Sequence, residues 1–200
     1  MADPDDAELL TRWRDGDRSA GEALVARHFP AVLRMFRHKV GDAADDLVQQ
    51  TFLTCLEHRD GIRDGERFRG YLLRVGWSRL LRHFRERAGP RGKVDPMTSS
   101  VAELAPTPSA TVGREDERTQ LLTALAQLPL EMQVALELYY WEELTAGEIA
   151  AVLEVPEGTV RSRLRLGRDK LRERLALLDP HAPDGEALDQ RARAAGRPDP

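Results

Sequence analysis

Residues 145–156 constrain the fold of this chain more than any other stretch. Thr145-Ala146-Gly147-Glu148 is a capping box: the threonine oxygen accepts from the amide of Glu148, and the glutamate accepts from the amide of Thr145. A helix is therefore predicted to begin here and to bury Ile149, Val152 and Leu153. It must end near Glu154-Val155-Pro156, because proline disfavours helical geometry in the residue before it.

A second helix is predicted from about Glu157. Its apolar residues recur at helical spacing and are expected to face a core: Val160, Leu164, Leu171, Leu175 and Leu178. The opposite face is polar and largely basic: Glu157, Gly158, Arg161, Ser162, Arg165 and Arg168. A short helix, a tight turn and a basic-faced helix place the second helix in the major groove of DNA, where the planar fork of arginine matches guanine. The alternative is an ordinary solvated helix surface.

The turn between these helices carries one local conflict. Glu154 stands where glycine would relieve a left-handed backbone. Either the turn is not left-handed or it bears a strain of about 1 kcal/mol.

The formal net charge of -4 is unevenly distributed. Residues 67–93 are strongly basic, with Glu86 alone among the arginines as an acidic countercharge, and a second basic stretch covers residues 161–174. Arginines near aromatic rings suit a nucleic-acid strand whose bases are unstacked, although each such ring taken singly is more often part of a core. The basic helix predicted for residues 68–87 has two apolar sides, so it either bends near Gly76 or packs its ends on different partners.

Helical periodicity dominates the chain, and the predicted fold is all-α: two small helical domains joined by a flexible linker, the second containing the helix-turn-helix. The first domain is assigned to residues 1–88, with Pro30 as a possible kink or break in its second helix. Residues 89–114 are rich in proline and glycine and are assigned as the linker. Residues 115–179 form the second domain, and residues 180–200 are predicted to be a disordered tail.

A helix over about residues 43–57 is predicted to have a buried and an exposed side. The buried stripe is Leu47, Val48, Thr51, Phe52 and Cys55, and the outer face carries Asp46, Gln49, Gln50, Leu53 and Glu57. An outward leucine among acids and amides suits contact with a basic protein, or is simply solvated surface.

Several classes of protein are disfavoured. A single cysteine excludes an internal disulfide, no Cys or His pair has zinc-site spacing, and we expect no cofactor and no metal. No apolar run is long enough for a membrane helix, and the acidic start is unlike a signal peptide, so a cytoplasmic protein is expected. No phosphate loop, zinc-protease motif or nucleophile elbow is present, and adjacent acids such as Glu142-Glu143 do not converge on one substrate, so we expect no catalytic residues.

Two sets of motifs resemble bacterial RNA polymerase sigma factors of the extracytoplasmic-function (ECF) subfamily of the sigma-seventy family. Asp45-Asp46-Leu47-Val48-Gln49-Gln50-Thr51-Phe52 and the stretch from Phe68 to Val75 are similar to sigma region 2. Residues 124–129, Leu144-Thr145, Glu148-Ile149-Ala150 and the run from Val155 to Leu164 are similar to sigma region 4. The resemblance covers about residues 7–178, in the family's order.

The resemblance implies a role in transcription initiation. Region 2 would dock on the clamp of core RNA polymerase and would open and read the proximal promoter element, while region 4 would read the distal element and the linker would thread the RNA exit path. The polymerase-binding residues implied are Asp45, Asp46, Gln49, Gln50 and Leu53. The DNA-binding residues implied are Thr159, Arg161, Ser162, Arg163, Arg165 and Arg168 in region 4, and Arg69, Arg74, Arg79, Arg82 and Arg85 in region 2. The loop from His58 to Arg67 would capture a flipped-out base, and a cognate anti-sigma factor is an expected partner.

Two alternatives compete with this hypothesis. A stand-alone helix-turn-helix regulator would bind DNA without polymerase, but it has no need of a clamp-docking helix. An enzyme lacks supporting motifs. The chain also departs from the family at Ser78, Arg79, Arg82 and Glu154, and it has no paired tryptophans at Arg74 and Val75, so promoter opening is expected to depend on a well-matched promoter.

Overall fold

The computed structural model describes residues 4–62, 68–89, 94–104, 117–179 and 185–196. The secondary structure of these residues is helical, apart from an isolated bridge between Ser100 and Pro129. The chain divides into two compact units, Met1–Arg82 and His83–Pro200. This division falls inside a helix, slightly before the domain boundary that the sequence predicts at residue 88.

The first unit contains α1 (Asp6–Arg14), α2 (Arg18–Arg37), α3 (Ala44–Glu57) and most of α4 (Phe68–Ala88), with short 3-10 turns at Gly41–Ala43 and Arg59–Gly61. Helix α2 begins where the carboxylate of Asp17 accepts from the amides of Ser19 and Ala20, at 2.9 and 3.3 Å. It continues through Pro30, so the proline does not break it.

Both apolar sides of α4 contribute buried residues, since Leu73 and Trp77 of the second side are 1% and 3% exposed. Phe68, Leu72, Gly76, Leu80 and Phe84 recur every four residues and are all buried. A Cβ atom at Gly76 would lie 2.8 Å from the sulfur of Met35 on α2. Gly76 therefore belongs to the core stripe, because its missing side chain lets α4 approach α2 closely.

The second unit contains α5 (Val101–Leu104), α6 (Glu117–Ala126), α7 (Leu130–Tyr140), α8 (Ala146–Leu153), α9 (Glu157–Leu178) and α10 (Gly185–Ala195). Helix α9 packs against α6, α7 and α8. Val160, Leu164, Leu171 and Leu175 are buried as predicted, whereas Leu178 is 38% exposed, so its assignment to the core is wrong.

Two predictions about segments without regular structure are corrected. In the predicted linker, Val101 is 2% exposed, and the amides of Leu130 and Glu131 donate to the carbonyls of Ser99 and Pro96. Residues 94–104 are therefore packed on the second unit, while residues 90–93 and 105–116 lie outside the described residues.

The predicted disorder of residues 180–200 is also wrong for residues 185–195, which form α10 and pack on α6 and α7. The composition of this segment did not reveal that it forms an amphipathic helix, in which Leu188, Ala192 and Ala195 are buried. Residues 180–184 and 197–200 lie outside the described residues.

Candidate nucleic-acid interface

The helix-turn-helix has the caps that its sequence predicts. The amide of Thr145 donates to the Glu148 carboxylate at 2.7 Å, and the amide of Glu148 donates to the threonine hydroxyl at 3.3 Å. Helix α8 ends at Leu153, and the capping residue that follows it, Glu154, has a left-handed backbone with a φ of 57° and a ψ of 45°. Of the two alternatives for this turn, the strained one is therefore correct: glutamate occupies a conformation that favours glycine.

The exposed face of α9 begins at its first turn. Glu157, Gly158, Arg161, Ser162 and Arg165 are exposed, while Thr159 is half-buried. The guanidinium of Arg161 donates to the Glu157 carboxylate at 2.6 Å, and the Arg161 side chain is 73% exposed. Because such an exposed pair contributes little to stability, the arginine can exchange this carboxylate for a phosphate or a guanine edge.

Arg163 does not share this face. It is 6% exposed and forms an ion pair with Glu131 of α7, and a second contact joins Nη2 to the sulfur of Met97 at 3.0 Å. Burial raises the pKa of Glu131 even though the positive charge of Arg163 acts in the opposite direction. The assignment of Arg163 to DNA is therefore wrong, because its side chain is buried against α7.

Arg168 also turns towards its own unit. Its Nε donates to the hydroxyl of Tyr140 at 2.8 Å, its guanidinium lies 4.8 Å from the ring centre of Tyr139, and its side chain is 31% exposed. The Tyr140 hydroxyl in turn donates to Asp189 of α10. The structure thus holds Arg168 away from the exposed position in which the sequence placed it.

The arginines of α4 differ in exposure. Arg74, Arg82 and Arg85 are exposed, Arg69 is half-buried, and the guanidinium of Arg74 lies 5.4 Å from the ring centre of Tyr71. Arg79 instead links α4 to α3: it donates to the side-chain oxygens of Gln50 and Thr54 at 3.0 and 2.6 Å. Of the predicted base-capturing loop, residues 63–67 lie outside the described residues.

The outer face of α3 is exposed as the sequence predicts. Asp45, Asp46, Gln49 and Gln50 lie at the surface, and Leu53 is 47% exposed. The side-chain oxygen of Gln50 accepts a hydrogen bond from Arg79, so this residue is also part of the contact between α3 and α4.

An apolar groove beside this face is a candidate binding feature that the sequence did not predict. It has a volume of about 440 Å³, and α1, α2 and α3 contribute to its lining: Trp13, Val25, Phe29, Asp45, Val48, Gln49, Phe52, Leu53 and Leu56. Phe52, expected in the core, is half-buried and stacks on Phe29 at 6.4 Å between ring centres. Phe29 and Leu56 are each 41% exposed, and periodicity could not reveal a groove that three helices build together.

Among the described residues, no group of three or more His, Cys, Asp or Glu side chains is arranged to hold a metal ion. No helix in the described ranges is long and apolar enough to cross a membrane.

Two helical units, one with a basic-faced helix-turn-helix and the other with a basic helix beside an acidic and apolar surface, define a DNA-reading protein of two modules. Residues 24–89 match sigma-70 region 2, and residues 118–171 match sigma-70 region 4. The chain belongs to the sigma-70 family, in its ECF subfamily, whose members direct promoter-specific transcription initiation.

Relatives and a solved structure support this assignment. The chain is 34% identical to the RNA polymerase sigma factor CarQ of Myxococcus xanthus, over 85% of this chain and 97% of that protein. It is 33% identical to the ECF RNA polymerase sigma factor SigE of Mycolicibacterium smegmatis, over 80% of this chain and 65% of that one. The structure of CnrH in complex with the cytosolic domain of CnrY aligns with a TM-score of 0.62 at 25% identity, covering 88% of this chain and 99% of that chain.

Proposed function

We propose that the two exposed surfaces described above divide the work of this sigma factor, α9 contacting the distal promoter element and α3 contacting core RNA polymerase. The distribution of exposed side chains carries this proposal. Arg161, Ser162 and Arg165 project from the first three turns of α9, the part of a recognition helix that enters the major groove. Thr159 is half-buried at the edge of this face and is the fourth member of the set.

On α4, Arg74, Arg82 and Arg85 are the arginines best placed to bind the backbone of the proximal element, since their side chains are exposed. Arg69 is half-buried and belongs to the same proposed surface. Arg79 acts differently: by binding Gln50 and Thr54 it fixes α4 against α3, so it positions the DNA-binding helix rather than contacting DNA.

The polymerase contact combines the acidic face of α3 with the apolar groove. Asp45 and Gln49 belong to both, and Leu53 is exposed at the groove. An apolar centre with a polar and acidic rim is the composition of a protein interface, and the acids favour a basic partner. The groove extends the docking surface predicted from α3 to include Leu56 of the same helix and Phe29 of α2.

In vitro transcription with core RNA polymerase tests this division. Promoter sites would first be identified by mapping transcript starts after overexpression. Asp46→Arg should abolish promoter-specific RNA synthesis and weaken binding to core polymerase, because it reverses the charge of the docking face. Glu8→Arg, on an exposed side chain of α1, is the matched control and should retain activity. Unchanged binding of Asp46→Arg to polymerase would contradict the α3 assignment.

The α9 assignment has a separate test. Arg161→Ala and Arg165→Ala should weaken binding to the distal element, with about 1 to 3 kcal/mol lost where the arginine reads a guanine. Arg172→Ala, an exposed arginine later in the same helix, controls for loss of positive charge.

If the protein binds DNA but never redirects core polymerase, the stand-alone regulator becomes the correct description.

We also propose that the protein acts in the cytoplasm, where its polymerase is, and that it has no catalytic activity of its own. The adjacent acids Glu142 and Glu143 illustrate the second point: the first is 4% exposed, and the second is exposed at a φ of 54°. They do not share a surface on which a substrate could lie.

CnrH was solved in complex with the cytosolic domain of CnrY, which supports the anti-sigma factor expected from the sequence as a proposed partner here.

A further inference from the structure

The C-terminal helix α10 reaches the recognition helix α9 through a chain of three polar side chains. Arg168 of α9 donates through Nε to the hydroxyl of Tyr140 at 2.8 Å, and that hydroxyl donates to the carboxylate of Asp189 on α10. Burial, and after it the hydrogen bond to Asp189, raises the pKa of Tyr140 to about 12, so the phenol keeps the proton that this chain requires. Asp189 also lies 3.8 Å from Nε of Arg168.

Helix α10 is held in place by contacts that do not involve Arg168. The indole nitrogen of Trp141 donates to the carbonyl of Ala192 at 2.8 Å, and Nη2 of Arg191 donates to the carbonyl of Glu117 at 2.9 Å. The guanidinium of Arg193 lies 5.7 Å from the ring centre of Tyr140, on which Arg168 also rests. The position of Asp189 is therefore fixed by α6 and α7, and its contact with Arg168 follows from that placement.

Arg168 belongs to the stripe of α9 that is proposed to face DNA. It follows Arg161 by seven residues, which places it within about 20° of the same stripe and about 10 Å further along the helix. Yet the Arg168 side chain is 31% exposed, against 73% for Arg161. An arginine of the DNA-facing stripe is thus bound to a carboxylate from another helix, and a carboxylate at this place also repels phosphates.

We infer that α10 restrains DNA binding: Asp189, acting through Tyr140, withdraws Arg168 from the phosphate backbone, and release of this contact adds one phosphate contact to α9. The inference rests on the proposed contact between α9 and DNA. Asp189 and Tyr140 are positioning residues, because they act through Arg168. Displacement of α10 by another protein surface would then raise the affinity of this unit for DNA.

The salt dependence of DNA binding tests the inference in the full-length protein, with a labelled duplex of random sequence as the probe. Asp189→Asn should bind more tightly, and its plot of log affinity against log salt should be steeper by about 0.9, the slope of one phosphate contact. The gain at about 50 mM salt should therefore be roughly three to four times the gain at about 200 mM. A merely structural role for Asp189 would lower the melting temperature and leave this slope unchanged.

Two further variants separate release of Arg168 from a change in total charge. Glu186→Gln removes one exposed negative charge from the same helix and should keep the wild-type slope. Tyr140→Phe changes no charge and should steepen the slope as Asp189→Asn does. The predictions for Asp189→Asn and Tyr140→Phe hold whether α10 stays packed or detaches, since the link from Asp189 through the Tyr140 hydroxyl to Arg168 is lost in both cases.

The decisive comparison is made in an Arg168→Gln background. There, Asp189→Asn should no longer change either affinity or slope. The inference is overturned if the gain persists in that background, or if Asp189→Asn and Tyr140→Phe both keep the wild-type slope. Arg161→Ala reports separately on the proposed recognition face: unchanged binding in that variant contradicts the α9 assignment and is independent of the result in the α10 variants.

Discussion

Replacing Arg163 with methionine removes a guanidinium from a nearly closed site and leaves the carboxylate of Glu131 behind. The two side chains are 8% and 14% exposed and form an ion pair between α9 and α7. Methionine fills most of the same volume without a charge, so the variant isolates the loss of the ion pair from the loss of packing.

The expected loss of stability is about 3 kcal/mol. Breaking a buried pair by removing one partner costs about 3 to 5 kcal/mol, because the remaining charge is left buried without compensation. The lower end applies here, since burial already raises the pKa of Glu131 and the carboxyl can avoid part of the cost by taking up a proton. Glu131→Gln added to the same variant should recover most of the loss.

Urea denaturation followed by the fluorescence of Trp141 measures this quantity in the second unit. The other two tryptophans, Trp13 and Trp77, are replaced by phenylalanine in both the variant and its reference. With a denaturant dependence of about 1.5 kcal/mol per molar urea, the midpoint should fall by about 2 M.

The loss of stability in Arg163→Met should shrink as the pH is lowered towards 4.5, the ordinary pKa of a glutamate carboxyl. A carboxyl whose pKa is raised on folding binds its proton more tightly in the folded state, so folding is favoured at low pH and loses that contribution as pH rises through the raised pKa. The reasoning is refuted if Arg163→Met unfolds at the reference midpoint while the salt slope of DNA binding falls by about 1, the result expected of a phosphate contact.

Two further predictions concern the turn and the cysteine. Glu154→Gly should stabilise the second unit by about 1 kcal/mol in the same urea assay, because glycine adopts a φ of 57° without a Cβ penalty. Glu154→Ala keeps the Cβ atom and should not stabilise the unit. Equal urea midpoints for the two variants would exclude strain at this turn. Cys55 should resist alkylation at pH 8 in the folded protein and react on unfolding, since burial raises its thiol pKa to about 12; rapid labelling of the native protein would contradict this.

Local sequence signals predicted much of the fold for a physical reason. The capping box at Thr145 and the proline after Val155 act through atoms a few residues apart, so sequence spacing defines them. The exposed face of α3 and the buried face of α9 follow in the same way from the helical repeat. These signals also carried the resemblance to the sigma-70 family, which the comparisons confirm.

The errors lie where several elements meet. The resemblance assigned Arg163 to DNA, although it lies three residues after the buried Val160 and pairs with Glu131 of α7. Arg168 follows the exposed repeat of α9, but its exposure depends on α7 and α10, which helical spacing within α9 does not specify. Leu178 follows the buried repeat of α9 and is nevertheless exposed. Composition likewise favoured disorder for residues 185–195, because the apolar residues of α10 are few and become a buried stripe only against α6 and α7.

The sequence by itself determined most of the helices, though not α5 or α10. It also determined where several helices are capped and the family to which the chain belongs, since each depends on residues close together in the chain. Tertiary structure alone decided which arginines of α9 remain at the surface, that a groove opens between α1, α2 and α3, and that the last helix reaches Arg168. The reason is that exposure and long-range hydrogen bonds are properties of packed helices, and the partners in each case are distant in sequence.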